Sequence, residues 1–593
     1  MSDPVLNVTR SATGKAWRWR SAPLPLGAAA RMGADDLAAQ LLTSRGCLPA
    51  DIARTLKPTL RDWLPDPSIF NGMDVLAGRL ADAVEARERI VLFADYDVDG
   101  ATSAAFLQRH LTALGANVGH YIPDRILEGY GPSAEALLQL QADGARLVVL
   151  LDCGTQAYGP LEAARAAGLD LLVVDHHKAS TELPPALAIV NPNRLDETPE
   201  AAIHGTLCTA GLAFLTGVAL NRELRRRGFF VDRAEPNLPQ WLDIVALGTV
   251  ADVVPLTGLN RAFVALGLRR MAQRQSAGLT ALADIARLDR APRGDDLGFQ
   301  FGPRINAGGR VGQADLGVRL LATEDAAEAA ELAAALDGYN QERRAIEAEV
   351  TAQALAAAEG QHNAPVAVVA GEGWHPGVVG IVAARVKERL HRPALVLALA
   401  EDGTAKGSGR SIAGVDLGAA VLAAKAYGLV SEGGGHAMAC GVTVPPGGVE
   451  AFAKWLSERL EADVAAAEQE QSLSIDLAVS PGAVTPDLAE ALESCGPYGQ
   501  SWPSPRVAVG PVRLVRCDPV GRSEPKTHLR FVATGPDGGR VEGIAFRALE
   551  TELGQTLLSA GQNPLYLAGR ITADEWQGRK RAQLQLEDAA LVA

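Results

Sequence analysis

The chain has no CxxC pair, no apolar run long enough to cross a bilayer and no excess of positive charge. Its six cysteines, Cys47, Cys153, Cys208, Cys440, Cys495 and Cys517, are scattered through 593 residues. That scatter argues against a structural zinc site or a disulfide framework and suits reduced thiols. The first twenty residues lack the apolar core of a signal peptide, and a spanning helix needs about 20 consecutive apolar residues. A cytoplasmic chain with no membrane partner is expected. The net charge of −14 provides no overall basic field, which leaves any nucleic-acid contact to local patches.

Hydrophobic residues make up 48% of the chain and charged ones 21%, as in soluble globular proteins. The length exceeds what one core supports, so several domains are expected. Residues 1–85 read as an N-terminal cap of unreadable function. Between 86 and 322, strands such as "RIVLFAD", "RLVVLLD" and "LDLLVVD" alternate with helical patterns. Continuous apolar strands of this kind predict an α/β domain with a doubly wound parallel sheet covered on both faces. Residues 323–360 read as a long connecting helix with a break near Gly338, and 361–462 as a smaller α/β domain. From 463 to 593, short strand patterns between Gly and Pro turns predict a β-barrel of the OB-fold type that binds single strands.

Three of the strands in the first domain end in an acid: Asp95, Asp152 and Asp175. Ligands of such sheets sit beyond the carboxyl ends of the strands. "DYDVDG" adds Asp97 and Asp99 at alternate positions, and "VVDHHK" adds His176 and His177. A lone DxD or a lone His pair is usually structural; the recurrence at three strand ends of one array sets these residues apart. Carboxylates and imidazoles without thiolates suit Mn²⁺ or Mg²⁺. Two cations, about 3.5–4 Å apart, would neutralise the crowded acids and serve an in-line displacement such as phosphodiester hydrolysis. Asp252, in "DIVALGTVADVVPL", follows a helix within an apolar stretch where an unpaired carboxylate is costly. A helix cap and a last metal ligand are both open readings of it.

"DYDVDG", "LLDCG", "VVDHH" and "GTVADVVPL" resemble the four ordered motifs of the DHH phosphoesterase superfamily. "GPRINAGGR" (302–310), "GWHPGVVGIVAARV" (373–386), "GSGRS" (407–411) and "GGGHAMACG" (433–441) are similar to its RecJ branch, which carries a DHHA1 domain. The resemblance implies a single-stranded-DNA-specific 5′→3′ exonuclease of recombination and repair that releases 5′-mononucleotides. It implies that Asp97, Asp99, Asp152, His176 and Asp252 ligate two divalent ions, Mn²⁺ or Mg²⁺, with Asp152 bridging them. Asp95 would ligate or stand behind the ligands, His177 would face the scissile phosphate, and Asp175 would orient a histidine. Water activated by the cations would attack, so no Ser or Cys nucleophile is needed. Single-stranded DNA is the implied substrate, with single-strand-binding protein and a recombination helicase as further partners of a monomer.

Substrate contacts beyond the metals are also expected. "PDRILEGYGPS" places Arg125 and Tyr130 on the loop after the second strand. The fork of Arg125 suits a terminal phosphate, and Tyr130 could stack on a base. "GPRINAGGR" offers Arg304, Asn306 and Arg310 around a flexible Gly pair whose amides could approach phosphate; which arginine serves the 5′ end is open. Arg410, Ser411 and His436 lie on Gly-rich loops of the second domain, and His375 precedes a helix whose amides favour anions. In the tail, Trp576 stands beside Arg579, Lys580 and Arg581, a set suited to tracking a single strand. From Ser501 onward twelve Lys and Arg face ten Asp and Glu. One departure from the family pattern is Gln500-Ser501-Trp502, where glycines and asparagine are common before the proline. The rival readings are an enzyme for short oligonucleotides or cyclic dinucleotides, a family-II pyrophosphatase, and a non-catalytic replication scaffold.

Overall fold

The computed structural model describes all residues except 1–2, 23, 25–28, 30–31, 33, 126, 362–363, 470, 522–525, 577–578 and 593. Strand β1 (Ala16–Trp19) belongs to the N-terminal cap. The expected apolar strands then form one parallel sheet: β2 (Arg89–Ala94), β3 (Asn117–Tyr121), β4 (Leu147–Leu151), β5 (Asp170–Val174) and β6 (Ala188–Val190). Every residue of β4 is buried, because helices cover both faces. Leu92 and Leu172 pack with Phe106 and Leu212 on one side, and Phe93 and Val148 with Leu137 and Leu161 on the other. The order β3-β2-β4-β5-β6 reverses at β2. The crevice at such a reversal, beyond the carboxyl ends of β2 and β4, is where ligands of doubly wound sheets bind.

The connecting helix, Ala326–Ala358, runs 33 residues without the break expected at Gly338. A side chain at Gly338 would meet nothing within 4 Å, so the glycine lies on an open face. Its intrinsic cost, about 1 kcal/mol, is outweighed by packing at both ends: Leu332 and Leu336 enter the first core and Val350 and Ala354 the second. The second sheet contains β7 (Ala367–Glu372), β8 (Ala394–Leu399), β9 (Ala405–Arg410), β10 (Glu432–His436) and β11 (Ala439–Val444), in the order β10-β11-β9-β8-β7.

Two short strands, β12 (Ser472–Ile475) and β13 (Leu477–Val479), lead into the barrel strands. These are β14 (Val507–Val520), β15 (His528–Thr534), β16 (Arg540–Ala545), β17 (Leu565–Trp576) and β18 (Arg579–Leu591). Pairing of β14 with both β15 and β17, and of β16 with β18, closes five strands into the OB-type barrel. Strand β12 pairs in parallel with β1, which ties the cap to the start of the barrel. Among the described residues, no helix is long and apolar enough to cross a membrane.

Candidate active site

Asp95, Asp97 and Asp99 do not share a strand edge, as their alternation suggests. Strand β2 ends at Ala94, and the next helix, Val98–Ala113, begins within the acidic motif itself. Asp97 is the cap that starts it, its Oδ1 accepting from the amides of Asp99 at 2.8 Å and Gly100 at 3.1 Å. Gly100 is obligatory here, since a Cβ would lie 2.2 Å from the carbonyl oxygen of Asp95. The turn thereby brings Asp95 and Asp97 to Asp152, and Asp99 to His176 and Asp252.

Asp99 is buried, and its two oxygens accept from the amides of Thr209 at 2.6 Å and Ala210 at 2.8 Å. Those amides open the helix Thr209–Arg226, whose positive end favours a carboxylate. Asp152, just past β4, holds a left-handed φ of 61° and accepts from the Thr209 hydroxyl at 3.1 Å. His176 Nε2 lies 3.4 Å from Asp152, 3.6 Å from Asp252 and 3.9 Å from Asp99. Asp252 follows the end of the helix Leu242–Ala251 as its C-cap, a position that still leaves its carboxylate beside His176 and Asp99. His177 Nδ1 lies 2.8 Å from Asp175, which also accepts from the amides of Thr155, His176 and His177. Burial works against ionised Asp175, yet these bonds hold its carboxyl well below the usual range.

Three residues unnoticed in the sequence complete the frame. Thr209 joins Asp99 to Asp152. Asn191 Nδ2 donates to the His177 carbonyl at 2.8 Å, and Asn193 Nδ2 to the His176 carbonyl at 2.6 Å. The "NPN" that follows β6 was their signal; Thr209 had none.

The charges are out of balance, which tests the fit to cations. Burial, reinforced by the neighbouring acids, raises the carboxyls of Asp95, Asp99 and Asp152 and brings Asp252 up to about 9. Asp95 Oδ1 and Asp252 Oδ2 are buried with no hydrogen-bond partner. Three overlapping sets could each hold an ion, with ligand atoms within 4.8 Å of one another. They are Asp95, Asp97 and Asp152; Asp99, His176 and Asp252; and Asp152, His176 and His177. Asp152 belongs to two of them. The oxygen and imidazole donors fit divalent cations of the Mn²⁺ or Mg²⁺ kind.

Beside the acids stands an opposite imbalance. Arg310 is pulled down to about 10 by burial and by Arg125, Arg343 and Arg410. Arg410 is lowered by burial and by Arg125. These arginines repel one another next to Asp97, an arrangement that favours an anion between them. Arg125 lies over the Tyr96 ring at 4.8 Å, and Arg310 donates to the Gly377 carbonyl at 2.6 Å. Arg304 instead pairs with Asp337 on the connecting helix at 2.8 Å. Asn306 lies with Arg310 in a cleft of about 630 Å³ that begins at Ala251, beside Asp252, and reaches Arg344 and, on the barrel, Arg547.

Several expected contacts are placed differently. "GPRINAGGR" is a helix, Gly302–Val311, so its Gly pair is held in regular structure and is not the flexible pair expected. A Cβ on Gly309 would stand 2.8 Å from the Tyr96 carbonyl, so close packing on Tyr96 already requires this glycine. Ser411 is 1% exposed and donates to the Val415 carbonyl at 2.7 Å. Ser408, two residues before Arg410 on β9 and hence on its face, is the hydroxyl beside that arginine. Tyr130 donates to the Asp152 carbonyl at 3.0 Å and meets the His177 ring edge-on at 5.8 Å. His375 Nδ1 accepts from the Gly377 amide at 3.0 Å, in the turn that Arg310 reaches. His436 is exposed near the tip of the β10–β11 hairpin. Lys580 pairs with Glu490, Arg581 is exposed, and the side chains of Trp576 and Arg579 lie outside the described residues.

Residues 89–249 match the DHH family, N-terminal domain, 363–462 the DHHA1 domain and 475–588 the RecJ OB domain. The single-stranded-DNA-specific exonuclease RecJ of Dickeya dadantii is 37% identical over 91% of this chain and 92% of its own. The chain belongs to the RecJ family. RecJ of Thermus thermophilus in complex with Mn²⁺ superimposes with a TM-score of 0.77 at 29% identity, over 96% of this chain and 79% of that one. The same protein in complex with Mg²⁺ gives 0.72 at 28%, over 97% and 78%. Both metals held by these RecJ structures are of the kind that the donor set here fits.

Proposed function

We propose that the chain is a single-stranded-DNA-specific exonuclease that releases mononucleotides from the 5′ end, in DNA recombination and repair. The adjacency of the acid cluster to the arginines Arg125, Arg310 and Arg410 carries this reading. Asp97, Asp99, Asp152, His176 and Asp252 would hold two divalent cations, with Asp152 shared by both sites and Asp95 as a further ligand. When bound, Mn²⁺ or Mg²⁺ activates water and neutralises charge for an in-line displacement. Asp175 occupies Nδ1 of His177, so Nε2 is the nitrogen offered to the scissile phosphate. The three arginines take a terminal 5′-phosphate, with Ser408 beside them, and thereby set the polarity. Beyond the scissile bond the strand follows the cleft past Asn306 and Arg344 to Arg547. A substrate long enough to reach the barrel is thus favoured over a dinucleotide.

The same reading carries the domain limits 1–85, 86–322, 323–360, 361–462 and 463–593. It also carries a monomeric state, a cytoplasmic location, and single-strand-binding protein and a recombination helicase as partners. The test is Mn²⁺-dependent digestion of a long oligonucleotide labelled at either end, alongside its duplex and a trinucleotide. Early release of the 5′ label as mononucleotide, with the duplex resistant, is expected. Preference for the trinucleotide would move the chain to the short-substrate branch, and no turnover of any substrate would leave a scaffold.

A further inference from the structure

The N-terminal residues meet the rest of the chain at the joint between the catalytic core and the barrel. At one end β1 lies against β12. Trp17 is fully buried and donates from Nε1 to Asp588 of β18 at 2.9 Å. The Ala12 amide donates to the Ala589 carbonyl at 2.7 Å and the Thr13 amide to Asp588 at 3.2 Å. Asp476, at the entry to the barrel, is buried between Arg20 at 2.8 Å and Arg45 at 3.0 Å, and accepts from the Arg506 amide at 2.9 Å. Arg45 also reaches the Pro503 carbonyl at 2.8 Å.

At the other end stands Arg261, on the core helix Gly258–Met271 and 1% exposed. Its guanidinium has no carboxylate partner among the described residues. It donates instead to four backbone carbonyls: Thr55 of the cap at 3.0 Å, and Cys495 at 2.8 Å, Gly496 at 2.5 Å and Pro497 at 3.0 Å before the barrel. Trp502 covers it at 4.6 Å. This is the tryptophan of the Gln-Ser-Trp departure. A buried cation is tolerated only when its donors are satisfied, and here three separate parts of the chain must be in place to satisfy them.

We infer that the cap is a clamp that holds the barrel at a set distance from the acid cluster, with Arg261 as the positioning residue where cap, core and barrel meet. The inference rests on the exonuclease reading above. A strand bound by both the arginine trio and Arg547 gains affinity from the second contact only if the spacing of the two sites is kept. The barrel segment also packs on the core through Leu492 and Trp502 and the Arg293–Glu493 pair, and the clamp adds the directional contacts that fix its setting against the motion expected between domains. A trinucleotide, which engages only the metal end, draws nothing from it.

The test compares wild type with Arg261→Met, an apolar replacement of similar length, and with Trp17→Phe, which deletes only the indole donor to Asp588. Each full-length protein is assayed on a long 5′-phosphorylated strand and on a trinucleotide, with run length measured against an unlabelled trap. For Arg261→Met the KM for the long strand should rise about tenfold and the run length shorten, while trinucleotide kcat/KM stays within about twofold. Trp17→Phe should move the same way by less, and it carries the test alone if Arg261→Met fails to fold. Equal losses on both substrates, or none on either, would overturn the clamp. Failure of the wild type on the long strand would instead remove the exonuclease reading.

Discussion

Two regions that meet at Asp97 are unbalanced in opposite senses. Around Asp152, buried carboxylates are raised by burial and by one another. Around Arg310, guanidiniums are lowered by burial and by one another. A fold selected for stability alone would pair the two sets, as Arg304 is paired with Asp337. Here each keeps its excess and waits for a charge that the chain does not supply: cations on one side and an anionic end on the other. Buried groups whose ionisation is opposed in this way mark sites of function.

The largest effect that would break this comparison is expected at the acid pole. Asp99→Ala or His176→Ala should lower kcat by about 10³-fold or more, since each removes a principal contributor to electrostatic stabilisation of the transition state. Circular dichroism should show the fold intact, and turnover retained by either variant would sink the ligand assignment. Second in size, Arg310→Met should lower kcat/KM on 5′-phosphorylated strands about 10- to 100-fold, matching the ~1.5–3 kcal/mol of a charged hydrogen bond. Strands with a 5′-hydroxyl should be nearly unaffected; equal losses on both ends would separate Arg310 from the terminal phosphate.

Asn193→Ala should cost about tenfold in Mn²⁺ affinity, because it frees the backbone that aims His176. Isothermal titration measures this, and unchanged affinity would reduce Asn193 to packing. Asp252→Asn sharpens the comparison through stability. The metal-free site pushes the Asp252 carboxyl up to about 9, chiefly by burial, so folding at neutral pH requires that group to take up a proton; an amide removes this cost and should raise the melting temperature of the metal-free protein by a few degrees. The same variant should lose most of the stabilisation that saturating Mn²⁺ gives wild type, about 2.7 kcal/mol at one hundred times Kd. A lower metal-free melting temperature would contradict the charge imbalance. Smallest of all, Ser411→Ala should leave turnover within about twofold and cost only ~1 kcal/mol of stability, the worth of its bond to the Val415 carbonyl.

Much of the acid pole was legible in the sequence because it follows from a simple rule. Apolar strands in a parallel sheet point their carboxyl ends to one rim, and an acid just past each strand lands there. Asp95, Asp152 and Asp175 follow from the rule, and the DHH-like motifs added Asp97, Asp99, His176, His177 and Asp252. The cationic pole was harder to read. Arg125, Arg310 and Arg410 come from three elements far apart in the chain, and only tertiary packing separates Arg310 from the ion-paired Arg304. Glycine misled twice: the pair in "GPRINAGGR" suggested flexibility where the chain is a helix packed closely on Tyr96, and Gly338 suggested a break in a helix anchored at both ends. Ser408 was within reach, since the period of two along β9 puts it, and not Ser411, on the face of Arg410. Arg344 and Arg547, about two hundred residues apart, carried no shared signal at all.

The most direct measurement is anomalous diffraction from crystals grown with Mn²⁺ and a 5′-phosphorylated single strand whose scissile bond is non-hydrolysable. Two peaks about 3.5–4 Å apart, both within ligand distance of Asp152, with the terminal phosphate among Arg125, Arg310 and Arg410, are the expected result. A single peak, or a terminal phosphate held away from Arg310, would contradict the account.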